Sequence, residues 1–224
     1  MCIAIQKDAG KTLSEETLEQ CWKRNPDGAG FVFAEDGKLH IHKGYMQFEK
    51  FWEAWQPHQQ KKAVLHFRIK THGKTDVHNT HPFQVGDGLA FVHNGIISNV
   101  DTTSDKDMSD THHFNTSILQ KLYRADKNFL KRPHLMELIM GYIGHSKLVF
   151  LDSVGQSIIV NARMGTQEDG VWYSNTSYKP RKYASKLATS IKPYTPPANS
   201  PVNPPKIAEG GYLTVGCRVK IKGH

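Results

Sequence analysis

Residues 63–73 read AVLHFRIKTHG, and residues 88–99 read GLAFVHNGIISN. Each opens on a run of β-branched and aromatic residues that suits a pleated strand, and each then breaks into polar residues and glycine. An Asn-Gly pair between apolar runs is first a hairpin turn, so Asn94-Gly95 is expected to reverse the chain. Working outward, KLVFLDSVGQSIIVNAR (147–163) and GFVFAEDGKLHIHKG (30–44) read as two more hairpins. In the second, Phe31 and Phe33 alternate on one arm, Leu39 and Ile41 on the other, and Asp36-Gly37 turns the chain. CIAIQK (2–7) and GVWYSNTSY (170–178) read as further strands. Four segments carry helical spacing. In TLSEETLEQCWK (12–23), Thr12 and Glu15 suggest a capping box, with Leu18, Cys21 and Trp22 on one face. FEKFWEAWQ (48–56) places Phe48, Phe51, Trp52 and Trp55 inward, as core rather than as a ligand box. DTHHFNTSILQKLYR (110–124) takes Asp110 as its N-cap with Phe114, Ile118 and Leu122 inward, and HLMELIMGYIG (134–144) follows Pro133. Hairpins imply antiparallel pairing, and two sheets covered by helices satisfy the order.

The composition sets outer bounds. Of 224 residues, 38% are hydrophobic and 10% aromatic, enough for a packed core. No apolar run is long enough to span a bilayer, and the N-terminus lacks a basic stretch followed by a long apolar one, so no secretory signal is read there. Three scattered cysteines, Cys2, Cys21 and Cys217, suggest neither a disulfide framework nor a zinc site, and a cytoplasmic location is expected. The net charge of +8 invites a nucleic-acid reading, but residues 181–224 hold eight Lys/Arg against one acid, Glu209. Basicity is therefore a property of the tail. Six of the eleven prolines fall in KPYTPPANSPVNPPK (192–206), which reads as an extended, semi-rigid linker. The expected organisation is a domain over 2–190, a Pro-rich linker over 191–206, and a basic segment over 207–224 in which YLTVGCRVKI forms one short strand.

Four places carry chemistry. Cys2 becomes the true N-terminus if Met1 is trimmed. It would then hold a thiol of pKa about 8.5 beside an amine of about 7.7–8.0, a nucleophile with its own base. Arg68, at the end of an apolar run, can fork onto a carboxylate through two parallel hydrogen bonds; its ordinary reading is an edge-strand arginine in water. Thr71, His72 and Gly73 form the turn after it, and NTHPF (79–83) is placed to support that loop. Gly95 offers an unobstructed backbone N–H and Asn94 a side-chain N–H, which together can form an oxyanion hole. Asp110, besides capping a helix, can bind an ammonium. Thirteen histidines raise the question of a metal. The adjacent His112 and His113 cannot make an i, i+4 pair, and His66, His72, His78 and His81 lack a ligand spacing.

The joint order is more specific than its parts. CIAI, NPDGAGF, HFRIKTHG, HPF, HNGIISN and SDT, in that sequence, resemble the class II glutamine amidotransferases, over roughly residues 2–180. HNGII is especially close to the glucosamine-phosphate synthase type. The resemblance implies an N-terminal-nucleophile hydrolase fold of the α+β class, a four-layer αββα sandwich of two antiparallel sheets. It implies Cys2 as nucleophile with its α-amine as base, and Arg68 and Asp110 on the α-carboxylate and α-ammonium of L-glutamine. Asn94 and Gly95 would form the oxyanion hole; Thr71, His72 and Gly73 would line the substrate loop. It implies no metal and no organic cofactor. Two positions depart from the family pattern: Ile3 stands where glycine usually follows the nucleophile, and Ile69 where close relatives have tryptophan.

About 44 residues lie beyond the resemblance, too few for a synthase. Three readings follow. In the leading one the chain is a glutaminase subunit passing ammonia to a separate synthase or ligase. In the second it is a stand-alone γ-glutamyl amide hydrolase. In the third it is an inactive binding module whose basic tail does the work.

Overall fold

The computed structural model describes residues 2–180. The linker over 191–206, the segment over 207–224 with its expected strand, the boundary at 190 and Cys217 lie outside the described residues.

Among the described residues, ten strands form two antiparallel sheets. The first sheet takes β1 (Ile3–Lys7), β2 (Ala29–Glu35), β3 (Lys38–Tyr45), β4 (Ala63–Phe67), β9 (Thr166–Glu168) and β10 (Val171–Tyr173), in the order β3-β2-β4-β1-β10-β9. The second takes β5 (Phe83–Gly86), β6 (Leu89–Asn94), β7 (Lys147–Asp152) and β8 (Ser157–Val160), in chain order. Three apolar clusters define the layers. Ala4, Val32 and Val64 of the first sheet meet Ala90, Val92, Val149 and Leu151 of the second, joined by Trp172. On the other face of the first sheet, Ile3, Ile5, Phe31, Phe33, Leu65 and Phe67 pack against Leu18 and Cys21 of α1 (Glu15–Arg24) and Phe48, Phe51 and Trp55 of α2 (Phe48–Trp55). On the other face of the second, Phe83, Phe91 and Phe150 pack against Phe114 of α3 (Asp110–Phe114) and against Ile139 and Ile143 of α5 (Pro133–Ile143). The result is the αββα sandwich. Side chains alternate between faces: small and β-branched residues fill the space between the sheets, and phenylalanines face the helices. Because both faces are covered, β1, β4 and β6 are buried along their whole length, and the polar residues they carry, among them Lys7, His66 and Asn94, are buried with them.

Several local expectations are corrected. The α1 cap is Ser14, not Thr12; its side chain accepts the Thr17 N–H, worth about 1 kcal/mol. Ser109, not Asp110, caps α3, accepting from His112 N at 3.2 Å. The helix over 110–124 is not uniform: a π-helical stretch, Asn115–Leu119, separates α3 from α4 (Gln120–Ala125) and buries Leu119 beside the expected Ile118. Pro133 is inside α5, in its first turn, where its missing N–H costs nothing. Asp36-Gly37 turns the β2–β3 hairpin with both residues at positive φ, as expected. Yet Leu39 and Ile41 pair with Ala34 and Val32, so they face the second sheet while Phe31 and Phe33 face the helices. Strand β9 was not anticipated. Asn94-Gly95 makes no hairpin, because β6 ends at Asn94 and no strand follows directly.

The aromatic packing over the first sheet should dominate stability. Phe51 is fully buried and meets Phe67 edge-on at 4.8 Å. Phe51→Ala should cost about 3–5 kcal/mol in urea unfolding, whereas Leu138→Ala, at an exposed position, should cost no more than about 0.5 kcal/mol.

Candidate active site

The two-residue period of three strands delivers the candidate groups to one place. Ala4 of β1 faces the second sheet, so Cys2, two residues earlier, shares that side. Val64 of β4 faces inward too, so His66 and Arg68 follow it. Val92 of β6 faces the first sheet, and Asn94 follows. Cys2, Arg68, Thr71, His72, Gly95 and Asp110 line one cavity, together with Ile69, His81, His93, Ser109 and Thr111. Asn94 reaches it by bonding Cys2. Gly73 does not line it.

Cys2 is held by its neighbours on several sides. Its Sγ lies 3.3 Å from both Ile69 N, which donates to it, and Ile69 O. Its carbonyl oxygen accepts from the side chains of Asn94 and, at 2.6 Å, Asn175. Burial pushes the thiol above its ordinary value, opposed by the Ile69 contact and the positive charge of Arg68. At rest the group is a thiol that needs a base.

Arg68 is not an edge residue in water. It lies one position beyond β4, its backbone still paired with Asp27 and Gly28, and is 3% exposed. Nη2 donates to His72 O at 2.9 Å, while the buried Nη1 has no partner. A buried, unpaired guanidinium nitrogen is costly unless a ligand meets it. Burial pulls its pKa down, and Cys2, Asp27, Asp76 and Asp110 hold it up. Asp110 is 4% exposed; its Oδ2 accepts from Ile97 N at 2.7 Å and its Oδ1 from Thr111 N at 2.8 Å. The cavity therefore holds one buried cation and one buried carboxylate, the pair that recognises a zwitterion.

The loop after Arg68 is tied down from below. Lys70 N donates to Asp27 Oδ2 at 2.7 Å. Asn79 donates to Asp107 O at 2.8 Å and Lys74 O at 3.2 Å and accepts from Ser109 N at 2.7 Å, joining the loop to the start of α3. NTHPF thus supports the loop, as its position suggested. Gly73 serves packing: a Cβ there would sit 2.8 Å from Asp107 and Ser109 backbone atoms, and its φ is +71°. At Gly95, φ is +147° and a Cβ would fall 2.2 Å from Ser146 Oγ, so only glycine leaves this N–H where it is.

Three residues escaped the reading of single motifs. His81 and His93 line the cavity, and His66 stacks on His81 with ring centroids 3.9 Å apart. His66 bonds the His93 carbonyl through Nε2 at 2.9 Å, and His93 Nδ1 meets Thr111 Oγ1 at 2.7 Å. Burial holds all three below the ordinary histidine range, His66 at about 3. Only their place inside otherwise apolar strands could have flagged His66 and His93, while His81 lies in the loop before β5. Asn175 was visible only as part of the stretch GVWYSNTSY, read as a strand. Among the described residues no three His, Cys, Asp or Glu side chains are arranged to hold a metal ion, and no helix is long and apolar enough to cross a membrane.

A family model described as "Glutamine amidotransferases class-II" matches residues 47–168, a span that contains Arg68, Asn94, Gly95 and Asp110 and leaves Cys2 and Asn175 outside. The glutamine–fructose-6-phosphate aminotransferase (isomerizing) of Zymomonas mobilis subsp. mobilis is 30% identical over 177 residues, 74% of this chain and 29% of that protein. The enzyme of the same name from Lactiplantibacillus plantarum is 27% identical over 153 residues, 65% of this chain and 25% of that one. The chain spans less than a third of the length of these curated relatives. A solved glutamine phosphoribosylpyrophosphate amidotransferase from B. subtilis superposes over 77% of this chain and 41% of its own, with 18% identity and a TM-score of 0.44. A structure titled as the allosteric regulatory enzyme of purine biosynthesis covers the same shares at 17% identity and a TM-score of 0.47.

The buried histidines set a pH dependence. Their folded-state pKa values lie below the unfolded value of about 6.5, so as pH falls the unfolded chain takes up protons first. Stability is fully present above that pH and is lost below it, by up to about 1.4 kcal/mol per pH unit for each histidine. Urea midpoints should fall steeply between pH 7 and 5; a flat profile would mean that these rings are not held neutral.

Proposed function

The chain belongs to the class II glutamine amidotransferases, and on that premise we propose that it hydrolyses the side-chain amide of L-glutamine through a Cys2 thioester and passes the ammonia to a separate acceptor enzyme. The observation that carries this reading is the convergence of Cys2, Arg68 with its unpaired Nη1, Asp110 and Gly95 on one cavity.

In this mechanism Met1 is removed and the Cys2 α-amine is freed. Arg68 forks onto the α-carboxylate of glutamine, and Asp110 takes the α-ammonium, leaving the carboxamide carbon over Sγ. Thr71 and His72, in the loop over the cavity, wall the substrate in. The α-amine accepts the thiol proton as sulfur attacks. The oxyanion is received by the Gly95 N–H and the second Nδ2 hydrogen of Asn94. The intermediate collapses, its C–N bond breaks, and the α-ammonium returns the proton to the departing ammonia. Water, deprotonated by the same amine, then cleaves the thioester and releases glutamate. No step needs a metal or an organic cofactor.

The acceptor is proposed to be a separate synthase or ligase. Support comes from the relatives' names, which couple glutamine to an acceptor sugar phosphate, and from the capped thiol. With both the N–H and the C=O of Ile69 on Sγ, substrate must displace a formed contact, which fits a glutaminase held slow until its acceptor enzyme engages.

Intact mass spectrometry of active protein should show loss of Met1, and Cys2→Ala should abolish ammonia release. Arg68→Lys keeps charge but loses the fork, so it should raise the KM for glutamine; Asp110→Asn should do the same. Asn94→Ala should instead lower kcat by about 100–1000-fold. Equal losses of kcat with unchanged KM in all three would overturn the assignments. Basal turnover should rise when a candidate ligase is added; fast hydrolysis of γ-glutamyl peptides by the isolated chain would favour the plain hydrolase.

A further inference from the structure

Resting on the glutaminase reading, we propose that Asn175 is a positioning residue that holds the Cys2 carbonyl and, through it, orients the Asn94 amide for the oxyanion. A carbonyl oxygen has two lone pairs, and that of Cys2 spends both on side-chain amides: Asn94 from the second sheet, and Asn175 at 2.6 Å from the segment after β10. Among the described residues the Asn94 amide has no other anchor. Its Oδ1 is buried and without a partner, so the bond from Nδ2 to the Cys2 oxygen alone fixes the amide plane. That bond aims the second Nδ2 hydrogen, and its direction follows wherever the Cys2 carbonyl is held.

Asn175 is itself well anchored. Its Oδ1 accepts from Ser177 N at 2.9 Å. Beside it, Ser174 extends the β1–β10 pairing past Tyr173: Ser174 N donates to Ala4 O at 2.9 Å, and Ala4 N donates to Ser174 Oγ at 2.8 Å. Tyr178 stacks on Tyr173 with centroids 3.7 Å apart, and Arg24 donates to Thr176 O at 3.3 Å and Lys179 O at 2.7 Å. The segment 174–179 is thus fastened to β1, β10 and α1, and Asn175 projects from it onto the residue that carries the nucleophile.

The test is a double-mutant cycle on the full chain with ammonia release as readout. Asn175→Asp keeps the acceptor for Ser177 N–H but removes the donor to Cys2; Asn175→Ala removes both. Either should lower kcat about tenfold or more with little change in the KM for glutamine, because the α-carboxylate and α-ammonium contacts lie elsewhere. In an Asn94→Ala background the same substitutions should cost at least threefold less, since there is no Asn94 amide left to orient. Multiplicative losses in the cycle, or a rise in KM matching the fall in kcat, would overturn the proposal and leave Asn175 a structural residue. Wild-type protein that neither releases ammonia nor is labelled at Cys2 by an electrophilic glutamine analogue would overturn the glutaminase reading itself, and this proposal with it.

Discussion

The site depends on the pairing of β1 in the interior of the six-stranded sheet, with β4 on one side and β10 on the other. Ile3 pairs with Phe67, so the residues just outside the strands, Cys2 and Arg68, are brought side by side. The same strand places Ala4 under Ser174 and the Cys2 carbonyl within reach of Asn175. A strand buried on both faces cannot slip by one residue without moving Ala4 and Ile5 to the wrong layers. The apolar pattern of CIAIQK therefore fixes where the thiol stands, well before any residue of the site is considered.

The cavity's electrostatics follow from burial. Arg68 and Asp110 are both almost inaccessible, and a buried charge is tolerated when it is paired or bonded. Asp110 is satisfied by two backbone N–H groups. Arg68 is satisfied only in part, since Nη1 finds no acceptor. The histidines around them are held neutral by burial, so they shape the cavity without adding positive charge beside Arg68; His66 bonds a backbone carbonyl and His93 a hydroxyl. Among the described residues, unmet hydrogen-bonding capacity at the site falls on Arg68 Nη1, both ring nitrogens of His81, His93 Nε2 and Asn94 Oδ1; the guanidinium is the charged group of that set, and a carboxylate is the group that meets it best.

Much of this was legible in the sequence. The two hairpins and the helices over 48–55 and 15–24 follow from periodicity and turn chemistry, because each signal is local; the αββα order came from the resemblance to the family. The cavity-lining residues Cys2, Arg68, Thr71, His72, Gly95 and Asp110 all came from short motifs. What failed was local evidence overruled by tertiary contact. Asn94-Gly95 has the composition of a hairpin turn, but Gly95 instead lies against Ser146 at a φ open to glycine alone. Asp110 has the composition of a cap, but its carboxylate is engaged by Ile97 across the chain while Ser109 caps. Asn175 is distant in sequence from every other site residue and carries no spacing signal. His93 is silent for a related reason: a histidine inside an apolar strand looks the same whether it borders a cavity or fills one.

The two departures from the family pattern are explained by which atoms do the work. Ile3 follows the nucleophile where glycine is usual, but strand alternation turns its side chain away from the thiol. It is fully buried among Phe67, Leu18 and their neighbours on the helix side of the sheet. A side chain there adds core packing and leaves the inward face, with Cys2 and Ala4, unchanged. Ile69 stands where close relatives have tryptophan, yet what meets Sγ is its backbone, N–H and C=O both at 3.3 Å. Any residue but proline at that position can supply those two groups, so the thiol's resting contact does not depend on the side chain. What the indole would otherwise cover is left to a smaller, aliphatic surface. The exchange leaves the backbone contact of Ile69 intact, and the thiol's place is set by the strands beneath it.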